Sequence, residues 1–527
     1  MTGGRGHEFD DPLDGASSPE LESAEPAEPA LDRPPADLKE KTARSIIWTI
    51  LRTGSDYIFS FAVFAVLARK LGPEAFGIFA LAVAFAEFGK ILPAAGLATA
   101  IQRARRVTPA MADTVFWTSL AVSVLAAGML ALLASPIAAA FDEPAVAPLL
   151  IALGVILIVT VAGAIHIALM LREFGHRAMA TRSVVSNLAG GAAALAAAAA
   201  GWGAWSLVVQ RGVTEVAGTA MAWHAYRWMP GRRFSFAVLR ELAGFSASMT
   251  LTQILFVALV RVQDVIIGRT IGTAAVGVYR TAWRTVELIA QSMIMPFSQV
   301  SLPTLGRLQD DLPAFRKAYL RIIAVSSALA FPAIIGFAVL APHAIPFIFG
   351  GQWEESARIA RLLGFMAVPF TLNRFAGPAL ATLGRSGLLA RIAGLQLALT
   401  VVMTLAAAPY GLLAIAAAYV ARAYLVLPIQ MWAFKKYSGL GHGELLRSIA
   451  PPLFTSLVMA GALLALDRLV GQRLENRAVH LLFMVSAGVA VYAASLLLFA
   501  RPFVAQQIKD FKRLLPGASA KLSRVGA

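Results

Sequence analysis

The sequence predicts an all-α integral membrane protein with about 14 transmembrane helices. They would form two six-helix lobes in a parallel, pseudo-twofold repeat, followed by two C-terminal helices. Three observations lead to this prediction. The 527 residues are 58% hydrophobic and 14% charged, whereas soluble domains are about half apolar and a quarter charged. Apolar runs of membrane length follow one another along the chain, and one short motif occurs twice.

Residues 1–45 differ from the rest of the chain. They hold 11 acidic and 5 basic residues, many Pro and Ala, and no apolar run. Low hydrophobicity with high charge favours disorder, and a secretory signal peptide would need an apolar stretch here. We therefore expect a disordered acidic tail, which leaves 41 basic and 19 acidic residues for the remainder of the chain.

Fourteen apolar runs follow the tail, each long enough to cross about 30 Å of hydrocarbon as a helix. None alternates with a period of two, as the strands of an outer-membrane barrel would. The predicted spans are 46–67, 75–98, 113–135, 147–171, 180–200, 203–225, 244–268, 275–299, 319–341, 359–382, 387–409, 411–434, 450–470 and 479–500.

The basic residues predict the orientation of these spans. With a cytoplasmic N-terminus, the cytoplasmic loops and tails carry 30 Lys and Arg, the outer loops carry 8, and the spans hold 8. This asymmetry fits the positive-inside rule, and an even number of helices returns the C-terminus to the cytoplasm. The net charge of +16 therefore indicates anchoring to an anionic leaflet rather than nucleic-acid binding.

The repeated motif divides the chain into two halves. Residues 67–80 read LARKLGPEAFGIFA and residues 267–280 read IGRTIGTAAVGVYR. Six helices separate the two copies, so both have the same orientation, as in a parallel repeat with a transporter cavity between its lobes. The positions identical in both copies are Arg69/Arg269, Gly72/Gly272, Ala75/Ala275 and Gly77/Gly277.

Spans, repeat and charge together predict the domain organisation. The predicted parts are a disordered acidic cytoplasmic tail (1–45), an N-lobe of six helices (46–230), a C-lobe of six helices (231–436), two further helices (437–500) and a basic cytoplasmic C-terminal tail (501–527).

Several stretches resemble, in order, blocks of the polysaccharide transport family, the Wzx-type flippases of the MOP superfamily. They are LARKLGPEAFGIFALA, FGHRAMATRSVVSN, GWGAWSLVVQ, VQDVIIGRTIGTAAVGVYRTAWR and IPFIFGGQWEESARIARLLG. The resemblance implies export of a lipid-linked oligosaccharide, typically on undecaprenyl diphosphate, across a bacterial inner membrane. It also implies polysaccharide polymerase or export machinery as a further partner.

Charged residues inside the spans are the candidate site, because an isolated charge at mid-membrane costs about 2.5–3.5 kcal/mol. Four acid–base pairs lie three or four residues apart, a spacing that places both groups on one helix face. Each pair could equally neutralise itself and help helices to pack. The pairs are Arg52/Asp56, Glu87/Lys90, Arg211/Glu215 and Arg261/Asp264.

The eighth span carries the strongest signal. Arg280, Arg284, Glu287 and Gln291 recur on one helix face, and two arginines against one carboxylate leave positive charge for an anion. A guanidinium suits phosphate because its donors form a planar fork. Arg374 is a further candidate for the same cavity. We therefore expect six arginines to bind a diphosphate: Arg52, Arg211, Arg261, Arg280, Arg284 and Arg374. We expect the carboxylates of Asp56, Glu87, Glu215, Asp264 and Glu287, together with Lys90, to serve in charge pairing or ion coupling.

Other function classes are less well supported. An ion-coupled multidrug or small-solute exporter of the same superfamily would be expected to carry carboxylates with few cations. An integral-membrane enzyme often has a long catalytic loop, and a scaffold protein would not need so many buried charges. No cysteine occurs, the 7 histidines show no metal-ligand spacing, and no GxxxxGK[ST] motif is present. We expect a monomeric transporter without catalytic residues, metal, cofactor or ATP.

Overall fold

A computed structural model describes residues 36–94, 101, 107–172, 176–470, 476–505 and 507. Side chains are described from residue 59 onward, with short gaps. Most of the acidic tail and of the basic C-terminal tail lies outside the described residues. Every regular element within these ranges is helical, which confirms the predicted all-α membrane fold.

Within the described ranges, fourteen α-helices coincide with the fourteen predicted spans, with two differences of detail described below. They are α1 (Ala36–Ala94), α2 (Pro109–Ala140), α3 (Val146–Arg172), α4 (His176–Ala199), α5 (Trp205–Ala225), α6 (Phe236–Thr270), α7 (Thr273–Arg307), α8 (Leu312–Phe349), α9 (Glu354–Leu363), α10 (Ala367–Thr382), α11 (Ser386–Ala407), α12 (Leu412–Ser438), α13 (His442–Val470) and α14 (Arg477–Phe499).

The first difference lies in α1, which covers the first two predicted spans. Gly72 breaks it with φ 75° and ψ 174°, a conformation that glycine adopts without steric cost. The second difference lies in the tenth span, which is divided into α9 and α10 by a 3-10 turn, Gly364–Met366. A Cβ on Gly364 would lie 2.2 Å from that of Ala338, so close packing on α8 accompanies the interruption.

Eight of the described helical segments are long and apolar enough to cross a membrane. Charged and polar residues lower the hydropathy of α5, α6 and α7, which lie outside this set. The eight segments are Phe59–Ile91, Pro109–Ala140, Val146–Leu171, Leu312–Phe349, Gly387–Tyr410, Leu412–Ser438, His442–Leu469 and Arg477–Phe499.

One end of the bundle consists of tight turns in which glycine adopts positive φ, and we call it the glycine-turn end. Gly72, Gly203, Gly272, Gly350 and Gly411 all lie there with φ between 54° and 121°. Glycine tolerates this conformation because it has no Cβ. At the opposite end, a linker of ten residues, 226–235, connects α5 to α6.

The two copies of the repeated motif pack against each other at the glycine-turn end. A Cβ on Gly77 would lie 1.8 Å from the carbonyl oxygen of Thr273, and one on Gly277 would lie 1.9 Å from that of Pro73. The contact is reciprocal, as two copies related by a twofold axis require. We keep the names N-lobe (α1–α5) and C-lobe (α6–α12) for the predicted halves.

Aromatic side chains from both lobes pack together next to this contact. Phe64 and Phe76 of α1 meet Phe349 and Trp353 edge to face, with ring centroids 5.3–5.7 Å apart. Such T-shaped pairs contribute about 0.5–1.5 kcal/mol each beyond their buried area. The indole nitrogen of Trp353 also donates to the carbonyl oxygen of Ala68 at 3.0 Å. We call these four rings the aromatic plug.

At the opposite end, α2 holds the segment that links the lobes. The buried Asp113 carboxylate accepts backbone hydrogen bonds from Gly231 at 2.9 Å and Arg233 at 3.2 Å. The indole nitrogen of Trp117 donates to the carbonyl oxygen of Gly231 at 2.8 Å. The linker between α5 and α6 is therefore tied to α2 by the Asp113 carboxylate and the Trp117 indole.

We expect Asp113→Ala to release this linker. Hydrogen bonds to a charged group contribute about 1.5–3 kcal/mol each, so trypsin should cleave after Arg232 or Arg233 at least about tenfold faster than in wild type. Asp310→Ala, which removes an exposed loop carboxylate, is the matched control. Equal cleavage rates for the Asp113 variant and wild type would contradict this role.

The last two helices pack on the C-lobe through α8. Both α13 and α14 contact α8 and each other. The Tyr492 hydroxyl donates to the carbonyl oxygen of Ala328 at 2.7 Å, and the Ser448 hydroxyl donates to that of Leu320 at 3.1 Å. These helices therefore extend one side of the C-lobe.

Candidate functional site

A cavity of about 480 Å³ lies between the two lobes. Helices α1 and α5 line it from the N-lobe, and α6 and α7 line it from the C-lobe. Phe64 and Phe76 of the aromatic plug form part of its wall. We call it the arginine cavity because of the lining residues Arg211, Arg261, Arg280 and Arg284.

Asp264 organises the C-lobe side of the cavity. Its carboxylate is completely buried and accepts a charge-assisted hydrogen bond from the Arg280 guanidinium, which also donates to the carbonyl oxygen of Val260. Arg261 lies 3.5 Å from the same carboxylate, at the spacing expected on one helix face. One buried acid is thus shared by two arginines, which fixes their positions and leaves their combined charge positive.

The N-lobe side holds an ion pair between two helices. Arg211 of α5 lies 2.7 Å from Glu87 of α1. This geometry replaces the predicted pairs within each helix, Glu87 with Lys90 and Arg211 with Glu215, because the packing of α5 on α1 brings the two groups closer together. Neither Lys90 nor Glu215 forms an ion pair with any other residue that the structure describes.

Arg284 is the most accessible guanidinium of the cavity. Its side chain is 45% exposed and lies 3.3 Å from Glu287, which is also held by the side-chain amide of Gln291 at 2.9 Å. Gln291 and Arg284 share the Glu287 carboxylate, so this carboxylate does not occupy all the N–H donors of Arg284. The remaining N–H donors face the cavity, which Arg284 lines. Arg284 is therefore the first candidate for contact with an anion.

The charges of this site sum to an excess of positive charge. Four arginines face three carboxylates, Glu87, Asp264 and Glu287. Aromatic side chains of the wall, among them Phe79 and Trp283, exclude water and strengthen the field of the unbalanced charge. A cavity of this size, with few polar groups converging on an apolar wall, is typical of ligand sites. Its chemistry suits a small, multiply charged anion.

Arg374, another predicted site residue, does not line this cavity. It lines a separate cavity of about 500 Å³ among α6, α7, α10, α11 and α12, and its guanidinium lies 2.7 Å from the sulfur of Met295 on α7. Met295 lies about three helical turns further along α7 than Arg284, so Arg374 is placed apart from the arginines of the first cavity. Arg52 and Asp56 lie on α1, but their side chains lie outside the described residues.

Two features of the site were not predicted. The Glu87–Arg211 pair joins residues far apart in sequence, and helical spacing suggested nearer partners for both. The aromatic plug combines α1 with Phe349 and Trp353, which looked like ordinary apolar residues of two separate spans. The sequence feature that came nearest to indicating the plug was GGQW after α8, which combines two glycines with a tryptophan.

Fold and site together define an all-α membrane protein with an anion-suited cavity between two helical lobes. The chain belongs to the polysaccharide biosynthesis protein family (Polysacc_synt_3), whose sequence model matches residues 66–358. This membership confirms the resemblance seen in the sequence.

Two relatives illustrate the similarity. The succinoglycan biosynthesis transport protein ExoT of Rhizobium meliloti is 27% identical over 320 residues, 61% of this chain and 65% of ExoT. The lipopolysaccharide biosynthesis protein WzxC of Escherichia coli is 22% identical over 328 residues, 62% of this chain and 67% of WzxC. The chain thus matches slightly less than two thirds of the length of ExoT.

Solved structures show the same fold at low sequence identity. The lipid II flippase MurJ in an inward closed conformation superposes with a TM-score of 0.70 at 11% identity, covering 87% of this chain and 100% of MurJ. An inward-facing multidrug resistance MATE transporter of the MOP superfamily superposes with a TM-score of 0.51 at 16% identity. The superposition covers 74% of this chain and 96% of the MATE transporter. The helical arrangement is therefore shared with both kinds of transporter.

Proposed function

We propose that this protein is a flippase that exports a lipid-linked oligosaccharide across the bacterial inner membrane for surface polysaccharide synthesis. The substrate would be carried on undecaprenyl diphosphate, and the pathway would be exopolysaccharide, capsule or O-antigen. One observation carries the proposal: four arginines from both lobes converge on a single cavity with excess positive charge. The names of the relatives, which refer to polysaccharide transport and biosynthesis, support it.

The cavity offers a binding mode for the diphosphate. Arg284 presents the most exposed guanidinium, and a planar fork of donors matches two phosphate oxygens at once. Arg280 and Arg261 are fixed by Asp264, so they supply a positive field without reorganising. The sugars would occupy hydrated space beside this site, and the prenyl chain would remain in lipid.

Transport would proceed by alternating access of the two lobes. The aromatic plug and the Gly77–Gly277 contact join the two lobes at the glycine-turn end. Release there requires these contacts to separate while the opposite end closes. With both termini cytoplasmic, an inside-negative potential assists outward movement of an anion by about 2.3 kcal/mol per charge per 100 mV. Glu287, Asp264 or Asp56 would be the groups available for ion coupling.

Reconstitution tests this function directly. Purified protein in vesicles receives a fluorescent prenyl-diphosphate oligosaccharide on one leaflet, and a membrane-impermeant quencher reports its appearance on the other. We expect protein-dependent transfer that requires the diphosphate and is absent with a prenyl alcohol of equal length. Transfer of a small organic cation without transfer of the glycolipid would overturn the proposal in favour of a drug or small-solute exporter.

A further inference from the structure

A second cluster of ionisable side chains lies at the glycine-turn end, apart from the arginine cavity. His343 of α8, Asp467 of α13 and His480 of α14 each contribute one ligand atom, and these atoms lie within 4.8 Å of one another. The Nε2 atoms of His343 and His480 lie 3.1 and 3.2 Å from the same Asp467 oxygen. Three helices thus direct two imidazoles and one carboxylate to one point.

We propose that this cluster binds a divalent transition-metal ion of the zinc class. Two imidazole nitrogens and one carboxylate form a set of protein ligands that zinc sites with an open coordination position use. Neighbouring ligands on a tetrahedral zinc ion, at about 2.0–2.2 Å from the metal, lie about 3.3 Å from each other. The two nitrogen–oxygen separations of 3.1 and 3.2 Å are close to that value.

The burial of His480 points independently to a ligand. The residue is only 5% exposed, yet its Nε2 atom forms no hydrogen bond of acceptable geometry, and the Asp467 Oδ1 atom beside it is also unpartnered. Buried polar atoms are normally satisfied. A metal ion at the centre of the cluster would bind both atoms and the exposed His343 at once.

The surroundings leave room for a further ligand. His343 and His480 line a cavity of about 440 Å³ that Glu354, Arg358 and Arg477 also line. The two arginines oppose a cation, whereas Glu354 and Asp467 offset their charge. Magnesium and calcium prefer sites made only of oxygen ligands, whereas imidazole nitrogen favours zinc, copper or nickel. The choice of ligands therefore selects the transition metals.

A bound ion would fasten the last two helices to the C-lobe. The three ligands come from α8, α13 and α14, which already pack together, so the ion would cross-link all three at the glycine-turn end. Histidines far apart in sequence give no metal-ligand spacing, which is why the sequence predicted no metal. This structural role does not depend on the identity of the transported substrate.

Zinc binding to the full-length protein, purified in detergent without a polyhistidine tag and washed with chelator, tests the proposal. We expect about one equivalent of Zn²⁺ by equilibrium dialysis with elemental analysis. His343→Gln and Asp467→Asn should weaken binding by at least about tenfold. His343 is 41% exposed, so its variant should fold. His224→Gln, which alters an exposed histidine on α5, should bind as wild type does.

Thermal unfolding separates binding at this cluster from binding elsewhere. Zn²⁺ but not Mg²⁺ should raise the melting temperature of wild type and of the His224 variant, and should leave the Asp467→Asn variant unchanged, because a ligand stabilises only the state it binds. Cobalt substitution should give the intense visible absorption of a low-symmetry site. A wild type that binds no stoichiometric zinc, or a His343→Gln variant that binds as tightly, would overturn the proposal.

Discussion

Arg284→Ala should reduce glycolipid transport about 10- to 100-fold at unchanged protein abundance. Arg284 carries the most exposed guanidinium of the arginine cavity and shares the Glu287 carboxylate with Gln291. A hydrogen bond to a charged group contributes about 1.5–3 kcal/mol, and each 1.4 kcal/mol changes an equilibrium or rate tenfold. The measurement is the transfer rate in reconstituted vesicles, together with surface polysaccharide in cells.

The controls for this variant come from the same chain. Arg374→Ala removes an exposed arginine from a separate cavity and should transport as wild type does. Arg284→Lys keeps the charge but loses the planar fork, so it should recover only part of the rate. Arg52→Ala is expected to lower transport as well, since Arg52 was predicted to face the same substrate. Normal transport by Arg284→Ala would remove the main support for diphosphate binding here.

Gly77→Ala should destabilise the protein severely. The new Cβ would lie 1.8 Å from the carbonyl oxygen of Thr273, which is backbone and cannot move aside as a flexible side chain does. Overpacking typically costs about 1–3 kcal/mol, and here the two lobes would have to separate, so we expect about 3 kcal/mol or more. Abundance in the membrane and the melting temperature in detergent measure the effect.

The symmetric substitution gives an internal check of the repeat. Gly277→Ala would place a Cβ 1.9 Å from the carbonyl oxygen of Pro73, so it should match Gly77→Ala in effect. Gly128→Ala is the control, because nothing lies within 4 Å of the added carbon on α2; it should be neutral or slightly stabilising. A Gly77→Ala protein with the same melting temperature as the Gly128→Ala protein would contradict the reciprocal contact.

Local signals in the sequence were sufficient to predict the class of fold and the positions of the helices. Apolar runs, turn glycines and the repeated motif are local signals, since each depends on residues within one span or one turn. The break at Gly72 and the turn at Gly272 illustrate this, because a positive φ is a property of a single residue. The ordered motifs likewise sufficed for the family.

Which charged side chains meet depends on how the helices pack, and this could not be predicted from the sequence. Arg211 pairs with Glu87 rather than Glu215, and Arg374 lies in a different cavity from Arg284. Helical spacing gives the face on which a side chain lies, but not the helix that this face contacts. The cluster of Asp467 and two histidines could not be predicted from the sequence for the same reason, because its three residues lie on different helices. The energy of a buried charge depends on distances of a few ångström across helices, and those distances are set by packing.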